Sequence, residues 1–210
     1  MKGNSFVIFC GLLFLVTDSW SQNLPSVEIG NQIWTVKNLN VTTFRNGDLI
    51  PQAETPAEWQ NAAKTGEPAW CYYENSADNG KTYGKLYNWY AVKDPRGLAP
   101  KGWRVPTDAE WSTMTKHLGE AGAGKTLKAT TGWPQGKNGS NSSGMTILPG
   151  GCRNANGRFY GTTKLAYMWT STENQSDSAW YRTISSDFDT IHRHGSLSKE
   201  SGLAVRCIKE

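Results

Sequence analysis

The chain has 210 residues, enough for one domain with a sizeable core and short for two. Its formal net charge is +4, with Lys and Arg scattered rather than gathered on one stripe, which argues against nucleic acid as a partner. Ten Trp and eight Tyr in a chain of mean hydropathy −0.58 mean that rings rather than aliphatic side chains fill much of the core, with some left to face a ligand.

Residues 1–21 read as a secretory signal. Lys2 supplies the positive start, Phe6 to Val16 is an apolar run of 11 residues, and Ser19 and Ser21 place small side chains before a cleavage point between Ser21 and Gln22. A membrane span needs about 20 apolar residues, roughly twice this run, so no transmembrane segment is expected after cleavage. Cys10 lies inside the run behind Phe9, where a lipid-modified cysteine would follow a small residue. The expectation is an exported protein, in the periplasm, at the outer surface or secreted, whose single domain spans residues 22–210.

Residues 27–44 alternate apolar and polar and read as half-buried strands, and Asn46-Gly47 marks a tight turn. A first helix starts at Thr55, a good N-cap, with Pro56 in its first position, Glu58 closing a capping box, and Gly66 stopping it. Between Tyr83 and Lys93 the residues Tyr83, Leu86, Tyr87, Tyr90 and Ala91 recur at helical spacing, predicting an amphipathic helix with an aromatic face. Thr107 and Glu110 form a second capping box, Trp111, Met114 and Leu118 share one face behind it, and Gly119 ends that helix.

Beyond residue 122 Gly, Ser, Asn and Thr dominate, and short strand-like runs follow: Met145–Leu148, Phe159–Tyr160, Tyr167–Ser171, Ala179–Ile184, Asp189–His194 and Leu203–Ile208. Helices first and strands afterwards predict an α+β domain with a twisted antiparallel sheet.

Several patterns look chemical. Gly119 to Thr126 (GEAGAGKT) satisfies the phosphate-loop pattern, but it follows an amphipathic helix instead of a buried strand, and Gly and Pro break the segment after it. It reads as a glycine-rich surface loop. His192 and His194 share one face of a strand with Arg193 between them. Two imidazoles fall short of a metal site, and His117 lies on a helix. Glu173, Asn174 and Asp177, or Asp187 and Asp189, offer oxygens of the kind calcium takes, without the six or more that it needs. No cofactor is therefore expected, calcium being the one ion with donors at hand. No GxSxG elbow, HExxH helix or Ser-His-Asp order appears, so no enzyme is expected.

Cys71, Cys152 and Cys207 remain after cleavage, allowing one bridge and one free thiol, or none. A single bridge would join Cys152 to Cys207 and leave Cys71 free and buried among Trp70, Tyr72 and Tyr73, although spacing does not fix the connectivity. A recognition surface is expected on the loop-like stretches 154–160, 173–181 and 185–198. Its candidates are Asn154, Asn156, Arg158, Tyr160, Glu173, Asn174, Trp180, Asp187, Asp189, His192, Arg193 and His194, which offer hydrogen bonds and flat stacking faces. Trp103 and Trp169 are expected in the core.

Three longer segments carry a family likeness: Ile33 to Asn40 (IWTVKNLN), Tyr83 to Val92 (YGKLYNWYAV) and Gly102 to Trp111 (GWRVPTDAEW). Gly150 to Arg153 (GGCR), Trp169 to Glu173 (WTSTE) and Val205 to Cys207 (VRC) follow in the same order. Together they resemble the Fibrobacter succinogenes major paralogous domain, a family of exported bacterial proteins. That domain in turn resembles the sulfatase-modifying, formylglycine-generating branch of the C-type-lectin-like fold, through Arg104 to Trp111 and Arg206-Cys207. The resemblance implies a compact α+β domain whose N- and C-terminal strands pair, with a small twisted antiparallel sheet and long irregular loops exposing a ligand surface.

The enzymes of that branch use two copper-binding cysteines in one short stretch near the C-terminus. Here only Cys207 stands there, so that activity does not carry over. Ala99 stands where many members of the family have a cysteine that would pair with Cys207. The resemblance thus implies a binding or adhesin-like module recognising a glycan or an envelope or surface protein. The alternatives are a structural accessory subunit of an envelope complex and, behind it, a formylglycine-generating type of enzyme.

Overall fold

The computed structural model describes residues 24–210; the expected signal segment and its cleavage point lie outside them. The architecture is α+β. In chain order it runs β1 (Ser26–Ile29), β2 (Gln32–Thr35), α1 (Pro56–Thr65), β3 (Trp70–Cys71), α2 (Ala77–Tyr83), β4 (Leu86–Tyr87), α3 (Trp89–Lys93) and β5 (Trp103–Arg104). It continues with α4 (Asp108–His117), α5 (Ala123–Leu127), β6 (Gly150–Arg153), β7 (Phe159–Thr162), β8 (Leu165–Gln175), β9 (Ser178–Ser185), β10 (Ile191–Ser198) and β11 (Ile208–Lys209).

Two sheets carry the fold. The first, in the order β1-β2-β11-β5, joins the two ends of the domain, with Ile208 pairing with Trp34 on one side and Arg104 on the other. The second, β10-β9-β8-β6-β7, is antiparallel except where β6 meets β8. A two-stranded ribbon, β3-β4, completes the set.

The two capping boxes form as the sequence predicts. The Thr55 amide donates to Glu58 at 2.9 Å and the Glu58 amide to the Thr55 hydroxyl at 3.1 Å; Thr107 and Glu110 repeat the pattern at 2.7 and 3.2 Å. Gly66 closes α1 in the left-handed region, at φ 69°. Trp111 and Met114 then drive α4 into the core, where Trp111 meets Trp34 edge-on at 4.9 Å.

The expected helix over 83–93 is a correction. Tyr83 ends α2, and Gly84 turns the chain at φ 74°, ψ −156°, a conformation reserved for glycine, where a Cβ would meet Asn38 at 3.0 Å. Leu86 and Tyr87 are then extended, and only Trp89–Lys93 is helical. The helical spacing was real, but the Tyr87 amide is claimed by the Leu203 carbonyl at 2.9 Å, and Asn88 caps α3 by accepting from the Ala91 amide at 3.1 Å. The expected strand at 145–148 is reduced to one bridge, Lys128 to Ile147, because Thr146 sits at φ 54°. Within 203–208 only the end becomes a strand, β11.

The core is aromatic, as the composition requires. Trp34, Trp59, Trp111 and Trp169 are fully buried, and Trp103 nearly so. Indole N–H groups stitch distant segments together. Trp59 donates to the Glu200 carbonyl, Trp89 to Thr170 and Trp169 to Tyr87, each at 2.9 Å. Among the described residues no helix is long and apolar enough to cross a membrane.

Candidate functional site

Strand register builds one row of rings. Tyr167 on β8 faces Thr183 on β9, which faces His192 on β10; the next row is Trp169, Tyr181 and His194. Alternate residues of a strand share a face, so all six point to the same side. Trp169 seals one end of this face into the core, and the other rings open outward.

The rings pack like books on a shelf. Tyr167 stacks on Tyr181 at 6.4 Å, Tyr181 on His194 at 5.0 Å, and His194 on His192 at 6.1 Å, with planes within 25° of parallel. Phe188, in the β9–β10 turn, stands edge-on to His192 at 5.2 Å. On the far side Tyr160 lies on β7 opposite Cys152 of β6, close enough to Tyr167 to influence its ionisation. Tyr160 and Phe188 are each 56% exposed, and with Leu49 they are the exposed large apolar side chains of the described residues. Two of those three therefore stand at opposite edges of the sheet, Tyr160 on β7 and Phe188 beside β10.

Hydroxyls orient the imidazoles. Thr183 Oγ1 lies 3.1 Å from His194 Nε2, and Thr190 Oγ1 lies 3.3 Å from His192 Nε2. Burial, then the neighbouring His192 and Arg182, lowers the His194 pKa, keeping the ring neutral near pH 7. Burial raises both Tyr167 and Tyr181, so each phenol stays an O–H donor. The face thus offers ring edges, phenol hydroxyls and imidazole nitrogens in a row, with free ring faces at its two ends.

The candidates chosen from the sequence divide. Tyr160, His192 and His194 belong to this row. Trp180 and Arg193 alternate to the other side of the sheet, where the Arg193 guanidinium lies 3.6 Å from the Trp180 ring centre and grips both oxygens of Asp108 at 2.9 to 3.1 Å. Arg182 reaches the same carboxylate at 2.6 Å. Burial pushes the Asp108 carboxyl up, but hydrogen bonds from Arg193 and Arg182 outweigh it and hold the pKa below the ordinary value. Arg182, the most buried of the three, is pushed down by desolvation more than Asp108 raises it. The trio fastens the sheet to the start of α4, beside a cleft of about 620 Å³.

The remaining candidates are engaged locally. Glu173 takes the Lys199 ammonium, and the Asn174 amide donates to the Gly195 carbonyl at 2.6 Å. The Asp187 amide donates to the Ser185 hydroxyl at 3.0 Å, and Asp189 faces Lys128 at 3.4 Å. Asn154, Asn156 and Arg158 form the β6–β7 turn, where the Asn154 amide bonds the Arg158 carbonyl at 2.8 Å and Gln60 of α1 donates to the Asn156 carbonyl at 2.9 Å. Much of the stretches expected as loops is strand, because β9 is largely buried between β8 and β10 and its polar Ser and Thr pair in register with both neighbours. Tyr167, Tyr181 and Phe188 were missed; alternation of Tyr167 with Trp169, and of Tyr181 with Thr183, is the signal that points to the first two.

The glycine-rich loop is occupied by its own chain: the amides of Gly124 and Lys125 donate to the Asp189 carbonyl at 2.7 and 3.2 Å. The expected Cys152–Cys207 bridge is also a correction. Cys71, Cys152 and Cys207 are free thiols, with Cys152 on β6 of one sheet and Cys207 entering β11 of the other. Desolvation pushes Cys71 up to about 11 and Cys152 and Cys207 up to about 12. Such thiols are inert near neutral pH.

An α+β domain with its two ends paired in one sheet and a ring-lined face on the other is the class of protein these residues define. The model of the Fibrobacter succinogenes major domain matches residues 27–209, and the chain belongs to that family. Neither the curated proteins nor the solved structures compared with it give a match.

Proposed function

We propose that this chain is an exported, non-catalytic binding module whose ligand lies along the row from Tyr160 to Phe188. The observation that carries the reading is the run of stacked rings from Tyr167 through Tyr181 and His194 to His192, with exposed Phe188 against one end and exposed Tyr160 on β7 beyond the other. Exposed apolar groups that cluster on a surface mark recognition sites. From β7 to β10 the row crosses four strand spacings, roughly 19 Å, which suits an extended ligand of several units.

A glycan fits this chemistry best. The hydroxyl groups of a sugar ring exchange hydrogen bonds with phenols and imidazoles, and the exposed rings of Tyr160 and Phe188 can stack on a sugar at either end. The pairing of β2 with β11, which joins the two ends of the domain, accords with a C-type-lectin-like arrangement, and the single cysteine near the C-terminus, Cys207, favours a binding role over the two-cysteine copper chemistry of the formylglycine-generating branch. A glycan array beside a pull-down from envelope extract tests the reading. Saturable glycan binding that depends on Tyr160, His192 and Phe188 supports it. Capture of a protein partner alone, independent of those residues, favours an accessory envelope subunit instead.

A further inference from the structure

A second site lies away from that row. Val36, Lys37, Asn38 and Asn40 after β2, Gly80 to Gly84 at the end of α2, and Thr146, Leu148 and Arg206 enclose a cavity of about 260 Å³. Arg206 is 2% exposed, and among the described residues no carboxylate forms a salt bridge with it. Two backbone carbonyls receive its Nη atoms, Thr35 at 3.0 Å and Thr146 at 3.2 Å, while Nε has no acceptor. A guanidinium carries five N–H donors, and burying its charge without a counter-ion is strongly unfavourable.

Three further observations point the same way. The cavity lining contains no Asp or Glu but includes Lys37 and Lys81 at its rim; Lys81 also meets Asp78 at 2.8 Å in an exposed pair that solvent screens. Asn38 donates its amide to the Tyr83 carbonyl at 2.8 Å and leaves Oδ1, a buried acceptor, without a partner. Thr146, whose carbonyl holds Arg206, stands at φ 54°, a strained position for a β-branched residue. A buried guanidinium, an unmet acceptor and a strained Thr146 thus meet around one small cavity.

The geometry points to an anion-binding site in which Arg206, Lys37 and Lys81 take an oxyanion and Asn38 accepts from a hydroxyl on the same molecule. The volume is below that of pockets for drug-sized ligands, so the group is small. Its chemistry is an oxyanion, carried on a sugar acid or free as an inorganic ion.

Calorimetric titration of the purified full chain with sodium glucuronate and with sodium sulfate, at constant ionic strength with glucose as the neutral control, tests this. Saturable binding of either anion, and none of glucose, is expected. Glucuronate bound more tightly than sulfate identifies a sugar acid, and equal affinity identifies the oxyanion itself. The double substitution Lys37→Gln, Lys81→Gln on the rim should weaken binding about tenfold with folding intact, through loss of two charge-assisted contacts. Arg206→Gln should abolish it; should that variant not fold, the rim variant decides. Failure of both anions to saturate, or affinity unchanged in the rim variant, overturns the site.

Discussion

Tyr181 and His194 face each other across β9 and β10 with ring centres 5.0 Å apart and planes inclined by 25°. A stacked, half-buried imidazole resists protonation, because the charged form loses water without gaining a carboxylate, and His192 and Arg182 nearby add to the effect. His194 should therefore titrate below the ordinary 6.5. The unfolded chain takes the proton first, so this contribution to stability is complete above about pH 6.5 and declines as pH falls through the folded value. An NMR titration of the imidazole signals checks it; a His194 midpoint at or above 6.5 would contradict the packing described.

Asp108 ties two arginines to α4. Asp108→Asn should leave the buried Arg182 without its counter-charge and lower stability by about 3–5 kcal/mol in urea denaturation. Arg193→Gln, on a half-exposed partner, should cost clearly less. Because pairing lowers the Asp108 pKa, the clamp is at full strength above the ordinary 3.8 and weakens as pH falls below it. Equal losses in the two variants would show that Arg182 is not the member that needs the carboxylate.

The thiols make a redox prediction. Labelling of the folded, unreduced protein should modify none of Cys71, Cys152 and Cys207, and labelling after denaturation should modify all three. The melting temperature should not respond to reductant. Fewer than three labelled thiols in the denatured chain would reveal a bridge.

Trp103 and Trp169 fill the core and should not tolerate truncation. Trp169→Ala removes a fully buried ring and the indole donor to the Tyr87 carbonyl, and a loss of about 3–5 kcal/mol is expected from chemical denaturation. A variant that unfolds at the wild-type denaturant concentration would remove Trp169 from the core.

What was legible in the sequence is what local chemistry decides. Thr55 with Glu58 and Thr107 with Glu110 announce their helices because a capping box is satisfied within four residues. Trp103 and Trp169 read as core because they sit within strand- and helix-linked motifs in a chain whose core must be built from rings. The break at Gly84 was hidden, since what holds Tyr87 extended is Leu203, more than a hundred residues away. The ring row was hidden for the same reason. Tyr160, Tyr167, Tyr181 and His194 become neighbours only when β6 to β10 find their register, and a list of polar loop residues cannot distinguish His192, which faces the row, from Arg193, which faces Asp108.

The most direct test of the central claim is the affinity of the protein for its best glycan from an array, measured in wild type and in the triple variant Tyr160→Ala, His192→Ala, Phe188→Ala. Tyr160 and Phe188 stand mostly in solvent and His192 is only partly buried, so the variant should melt close to wild type while losing glycan binding altogether. Undiminished affinity in a folded triple variant would contradict the assignment of this face as the binding surface.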